Sequence, residues 1–440
     1  MPNNFAYIAL LSWPVISLLF FYRHMPIVQA TFWTIVGGFL FLPVKTAIDF
    51  PFIPPLDKES IPVIAALIGC RYIKKAKIKL LPNNGIERWL VLLLLITPIF
   101  TTLNNQELFN GIPGLTFHDA ISAIINQYLL ILPFVIGMQI IKTHEDQLAL
   151  FKSLILSFLI YSVPILFEVR MSPQLHTWVY GFFPHDFVQQ YRFGGYRSMV
   201  FLGHGLSVAM FVVVCLAAAS IFLKEKIKVF GIPLWLTLGY VFFILVLSKT
   251  VGAFVLGTFL IVSIIWLPTR AVRWLSLSLG CMFILYPILS ISNLFPHETI
   301  LQLARDFDET RGNSLESRFF HEGLLLEHAR NKLWFGWGEW GRNRLSYSVT
   351  DGYWIIIFGK YGLVGFLSFF GLIFLSAIRA IKISKVLYEE NEKSLLLNHA
   401  ILVSVIMIDQ LPNASLSAWL LLLSGALLGR VNYIRFARNI

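Results

Sequence analysis

The chain has 440 residues, 57% of them hydrophobic and only 13% charged, with a mean hydropathy of +0.72 and a net charge of +11. A soluble domain carries charges at about twice that frequency, and the short alternating segments of a β-barrel are missing. The surplus Lys and Arg sit mostly in short segments between apolar runs, which argues against a nucleic-acid partner and for an all-α, polytopic membrane bundle.

Candidate spans fall at 5–22, 27–43, 60–73, 88–103, 120–141, 148–168, 198–223, 230–247, 251–268, 274–293, 353–378, 396–410 and 414–429. Most are long enough to cross about 30 Å of hydrocarbon. The third is short, so the count is 12 or 13 within a single integral membrane domain, residues 1–440. The first run, Phe5 to Tyr22, has no basic leader and no small-residue cleavage site, so it reads as a retained helix. Cys70, Cys215 and Cys281 lie in or beside apolar runs, with no disulfide or metal spacing.

The basic segments are RYIKKAKIK (71–79), KEKIK (224–228), RAVR (270–273), 379–393 and the tail from Arg430. The positive-inside rule places them on the cytoplasmic side. They alternate with 104–119, 169–197, 248–250, 294–352 and 411–413, which then face outward. The N-terminus is outside with 13 spans and inside with 12. Two outer segments are long, 169–197 and 294–352, far above the usual connection of about 4–6 residues. There is no Walker A motif, no Rossmann fingerprint and no internal repeat, so ATP-driven work is not indicated.

The first long loop passes into the next apolar run through YRFGGYRSMVFLGHG (191–205). It holds Arg170, Arg192 and Arg197, with only Glu168 and Asp186 as nearby acids. Snorkelling to the headgroups accounts for one such arginine. Three outer guanidinium groups point instead to an anionic ligand, because their planar forks grip phosphate through paired hydrogen bonds. The pair Gly194-Gly195 lets backbone approach such a ligand closely. His204, seven residues past Arg197, would lie about 10 Å deeper on the same helix face. An ionisable group there is a functional candidate, with a neutral interhelical histidine as the alternative.

The second loop contains a helix-like stretch, SLESRFFHEGLLLEHARNKLWFGWG (314–338), with Phe319, Phe320, Leu324 and Leu325 at helical spacing. Polar residues Glu316, Arg318, His321, Glu322, Glu327 and His328 accompany it. Trp337 and Trp340, flanked by glycines, suit either sugar faces or interfacial anchoring. Asp351 opens the next apolar run, either as a solvated loop acid or as part of a site. No metal-ligand spacing stands out in these loops, and the acidic DFDET (306–310) reads as solvated surface.

The order of R197-SMVFLGHGLSVAM, L247-SKTVGA, S317-R318 with F335-GWG, and D351-GYWIIIFGKYGLVG resembles the O-antigen ligase and Wzy-type polysaccharide polymerase superfamily. The likeness covers about 165 to 370, and RMSPQLH (170–176) resembles the exopolysaccharide-associated members. The resemblance implies a GT-C-like fold in the bacterial inner membrane, with the active site on the periplasmic side. It implies transfer of a glycan from undecaprenyl diphosphate to a sugar hydroxyl, without metal, nucleotide or other cofactor. It also leaves room for a chain-length regulator protein as partner. Arg197 and Arg318 match the family's arginines and would grip the diphosphate. Two departures are visible. Asp351 stands where ligases have a histidine, and Lys249-Thr250-Val251 replaces a Ser-Arg between the middle helices.

Leaving-group charge on a diphosphate calls for fixed cations, which gives Arg192, Arg197, Arg318, Arg170 and Lys249 a role. The attacking hydroxyl needs a proton acceptor, for which Asp351, then Glu168, then His204 are the candidates. A polymerase fits best. A ligase acting on a lipid A core and a transporter of lipid-linked sugars are the alternatives, although inverted halves and midplane charges are not apparent.

Overall fold

The computed structural model of the protein describes residues 1–50, 53–83, 85–228, 231–292 and 294–437. Its helices are α1 (Asn4–Ile16), α2 (Tyr22–His24), α3 (Ile27–Phe41), α4 (Ser60–Ile68), α5 (Ile86–Leu103), α6 (Phe117–Ile140), α7 (His144–Met171), α8 (Leu175–Tyr180) and α9 (Gly205–Lys224). They continue with α10 (Leu234–Leu247), α11 (Val251–Ile265), α12 (Thr269–Ile291), α13 (His297–Phe307), α14 (Glu309–Arg330), α15 (Tyr353–Ile383), α16 (Glu390–Asp409) and α17 (Ala418–Ala437). A π-helical turn, Ser17–Phe21, joins α1 to α2, and another, Gly69–Ile73, extends α4. Residues 230 and 293, where two of the expected spans begin and end, lie outside the described residues.

Among the described residues nine helices are long and apolar enough to cross a membrane, so this is a multi-pass helical membrane protein. Four shorter apolar helices, Ile27–Phe41, Ser60–Ile73, Leu234–Leu247 and Val251–Ile265, complete the expected pattern. They run between the same two ends of the bundle. At one end Tyr180 donates to Phe41 O, Lys58 to Phe201 O and Lys249 to Phe193 O. At the other end Lys224 donates to Leu267 O, Arg430 to Lys142 O, and Lys79 N–H to Gln139 Oε1. Both long loops sit at the first end. Asn3 joins them there, donating to the carbonyls of Val179 and Tyr180. The start of α1 therefore lies beside the loops.

Two apolar cores share the bundle. One gathers α3, α4, α7, α9, α10 and α11 around α9, which is buried along nearly its whole length. The other gathers α5, α12, α14 and α15. Helices α6, α16 and α17 contribute to both, and α12 and α15 reach the first core through Val272 and Ile381. Lipid is as apolar as leucine, so close backbone packing has to hold such helices together. The sequence GALLG on α17 provides it: a Cβ on Gly425 would lie 2.1 Å from Phe134 O of α6, and one on Gly429 2.5 Å from Met138 O.

Helix α15 is broken at Gly362, whose φ of 65° interrupts the helix. The break leaves backbone groups without helical partners, which inside a membrane must be satisfied by protein. Residues 333–338 satisfy them. Trp337 N–H and Gly338 N–H donate to the carbonyls of Gly359 and Lys360, and Leu363 N–H and Val364 N–H donate to those of Leu333 and Trp334. The FGWG motif and the G-K-Y-G motif, far apart in sequence, are thus one structural unit.

Two short hairpins interrupt the helical architecture, β1 (Ala47–Phe50) with β2 (Ile53–Asp57), and β3 (Tyr191–Arg192) with β4 (Gly195–Tyr196). Phe193 and Gly194 form the β3–β4 turn with φ of 50° and 66°, the positive angles that a two-residue turn matching strand twist needs.

Candidate functional site

The first long loop extends further than hydropathy indicates. The seventh span starts at Gly205 rather than at 198, and 197–204 is an extended and turning segment. His204 is therefore not two turns inside a helix. It is the N-cap of α9, and its Nδ1 accepts from Leu206 N–H at 3.0 Å. Its ring also meets that of His185 edge-on at 4.6 Å.

Glu168 holds this segment in place. Its Oε2 accepts from Met199 N–H at 2.8 Å and Val200 N–H at 2.7 Å, and its Oε1 accepts from Leu175 N–H at 3.0 Å. Both oxygens are thereby occupied by backbone, so the geometry gives Glu168 a scaffolding role rather than that of an available base. Val200, in the left-handed region at φ 51°, is kept there by this carboxylate. Lys58, buried at the head of α4, fixes the next carbonyl in line through Phe201 O at 3.0 Å.

Arg197 is the side chain this scaffold aims. It is 1% exposed, yet its Nε and Nη2 have no hydrogen-bond partner, and it forms no ion pair among the described residues. A Cβ on Gly205 would lie 2.4 Å from its Nε, so the guanidinium lies directly against the start of α9. Burial, with Arg192 adding repulsion, lowers its pKa to about 9. Arg342, equally buried and likewise without partners at Nε and Nη2, differs in its Nη1, which donates to the carbonyls of Glu107, Ile112 and Pro113 at 3.1, 3.3 and 3.0 Å.

Other cations converge on the same place. Lys249 reaches across to the β3–β4 turn, donating to Phe193 O at 3.4 Å, and its Nζ fills the space a side chain on Gly195 would take. Burial depresses the His204 pKa to about 3, and Arg197, His185, Arg192 and Arg318 push it the same way. The imidazole is consequently neutral in a region of positive potential to which both long loops contribute. Arg170 is exposed in the last turn of α7.

On the second loop Arg318 projects from α14 and pairs with Asp351 through Nε at 3.4 Å. Its Nη1 donates to Pro412 O at 3.2 Å. The pair stands at a largely apolar cavity of about 190 Å³ between α12, α13, α14 and the head of α15. Asp409, buried at the end of α16, accepts from Asn413 and Ser415 and lies within electrostatic reach of Arg318.

The two tryptophans separate. Trp337 is buried, stacked on His328 at 4.4 Å, and donates to His328 O, so it is a core residue rather than a sugar platform. Trp340 is 68% exposed and donates to Asp119 Oδ1.

Glu322, Asp409 and Lys58 are the site-end residues that sequence does not single out. Glu322 stands among several loop-helix polar residues, and its spacing does not distinguish it from Glu327. No protein-family model matches the chain, and no curated protein matches it. Function has to be read from the site itself.

Proposed function

We propose that the protein is a polysaccharide polymerase. It transfers a glycan from a polyprenyl diphosphate, of the undecaprenyl type, to a sugar hydroxyl of a second lipid-linked unit. The loop end faces the periplasm of a bacterial inner membrane, thirteen passes carry the GT-C-like scaffold, and no metal is required. The observation that supports this most is Arg197. A buried guanidinium without a counter-charge costs stability, and here it is held by a dedicated carboxylate scaffold and surrounded by further cations. An anion of high charge density entering this end supplies the missing partner.

Arg197, Arg192, Lys249 and Arg318 are the groups for the diphosphate. They stabilise the negative charge that grows on the leaving phosphate as the glycosidic bond breaks. His204, kept neutral, donates through its remaining ring nitrogen without adding charge. Asp351 orients Arg318 through their ion pair. The lipid tail lies along the apolar helix faces of the bundle.

A broken helix also occurs in transporters, where the freed backbone binds cargo. In α15 those groups are taken by residues 333–338 of the same chain, which favours a fixed scaffold over a transport site.

The test is purified protein in lipid, supplied with an undecaprenyl-diphosphate-linked repeat unit and no nucleotide. A ladder of products with release of lipid diphosphate is expected, and Arg197→Ala and Arg318→Ala should each abolish it while leaving folded protein. Substrate crossing the bilayer without a ladder would overturn the assignment.

A further inference from the structure

The cavity beside Arg318 contains a second carboxyl group that the diphosphate grip does not use. Glu322 lies four residues beyond Arg318 on α14, so the two share a helix face, and both line the cavity of about 190 Å³. Its Oε1 accepts from Tyr286 Oη at 2.7 Å and from Ser290 Oγ at 3.1 Å, both on α12. The two hydroxyls bond the same oxygen, which leaves Oε2 for the cavity. Phe295, Phe319 and Leu325 make the surrounding wall apolar. The titratable and charged groups facing Glu322 are Tyr286 from α12, Arg318 from its own helix and Asp351 before α15; α13 and the turn after α16 present Ile300, Leu411 and Pro412.

We propose that this cavity admits the attacking hydroxyl of the acceptor sugar and that Glu322 Oε2 takes its proton. The inference rests on the glycosyl-transfer reading and adds the residue that completes it. In the step the acceptor O–H breaks and its oxygen bonds the anomeric carbon. The carbon–oxygen bond to the diphosphate breaks, and its electron pair stays with the phosphate near Arg318. The proton remains on Glu322 until water removes it. One face of α14 therefore presents both the leaving-group cation and the proton acceptor.

Of the three acids and bases that the sequence offers, Glu168 has both oxygens on backbone amides, His204 Nδ1 accepts from Leu206 N–H, and Asp351 is ion-paired with Arg318 through Oδ2, whereas the Glu322 oxygen that is engaged holds only neutral hydroxyls. Burial raises the Glu322 carboxyl to about 7, while the Tyr286 and Ser290 hydroxyls pull it the other way. A proton acceptor balanced near the working pH is the efficient one.

The experiment is the ladder assay across pH, with wild type, Glu322→Gln and Tyr286→Phe, alongside thermal melting of each. Wild type should lose activity as pH falls through about 7. Glu322→Gln should lose about 100-fold or more on the alkaline side of that limb, and should lack the limb itself, while melting like wild type. Tyr286→Phe removes a hydrogen bond that favours the carboxylate, so its acid limb should move to higher pH, a change that a packing defect alone does not produce. A wild-type ladder with Glu322→Gln within a few-fold of it, or an unmoved limb in Tyr286→Phe, overturns the role of Glu322 and leaves the polymerase standing. The absence of a ladder from wild type overturns both.

Discussion

Replacing Arg197 by methionine separates a binding arginine from a structural one. A guanidinium held at about 9 rather than the usual 12.5 has lost about 5 kcal/mol of preference for its charged form, at about 1.4 kcal/mol for each tenfold change. Among the described residues no acid partner offsets that penalty. Methionine keeps most of the apolar stem and removes the charge, and a swap of similar volume costs under about 1.5 kcal/mol. The balance favours the variant, so Arg197→Met should melt at or above the wild-type temperature in detergent. It should also lose ladder synthesis and lose the stabilisation that diphosphate ligands give wild type. Thermal melting with and without added undecaprenyl diphosphate checks both. A variant that melts several degrees lower, with activity reduced only in proportion to its folded fraction, would refute the idea that Arg197 is held at a stability cost for an anion.

Glu168→Gln keeps one carbonyl oxygen for three backbone donors, so at least one buried N–H loses its acceptor and stability should fall by about 1–3 kcal/mol; wild-type melting behaviour would remove Glu168 from its scaffolding role. His204→Asn preserves an acceptor at the α9 N-cap and cannot titrate. The folded imidazole is depressed to about 3 from 6.5, so its contribution is present above pH 6.5 and is lost as pH falls toward 3. Wild type should therefore lose stability across that window more steeply than His204→Asn, as acid-titrated melting curves would reveal. Gly425→Ala places a Cβ about 2.1 Å from Phe134 O, so it should separate α6 from α17 and lower the melting temperature; Gly239→Ala, with open space around it, should not.

Hydropathy alone located the spans, because crossing a membrane needs only enough apolar residues in a row. The alternation of basic and long loops followed from the same count, and so did the gathering of Arg192, Arg197 and Arg318 at one end. Tertiary structure decided what each polar residue does there. His204 follows an apolar run and reads as helical, yet the amides of Met199 and Val200 turn toward Glu168, and the helix starts only after it. Trp337 sits in a glycine-rich loop that reads as exposed, but its loop fills the break that Gly362 makes in α15, and burial follows. Glu322 is one acid among several until α12 places two hydroxyls on it. Apolar content is a property of the residues themselves and accumulates along the chain. Whether a polar group is paired, strained or available depends on neighbours that only the fold brings within hydrogen-bond reach.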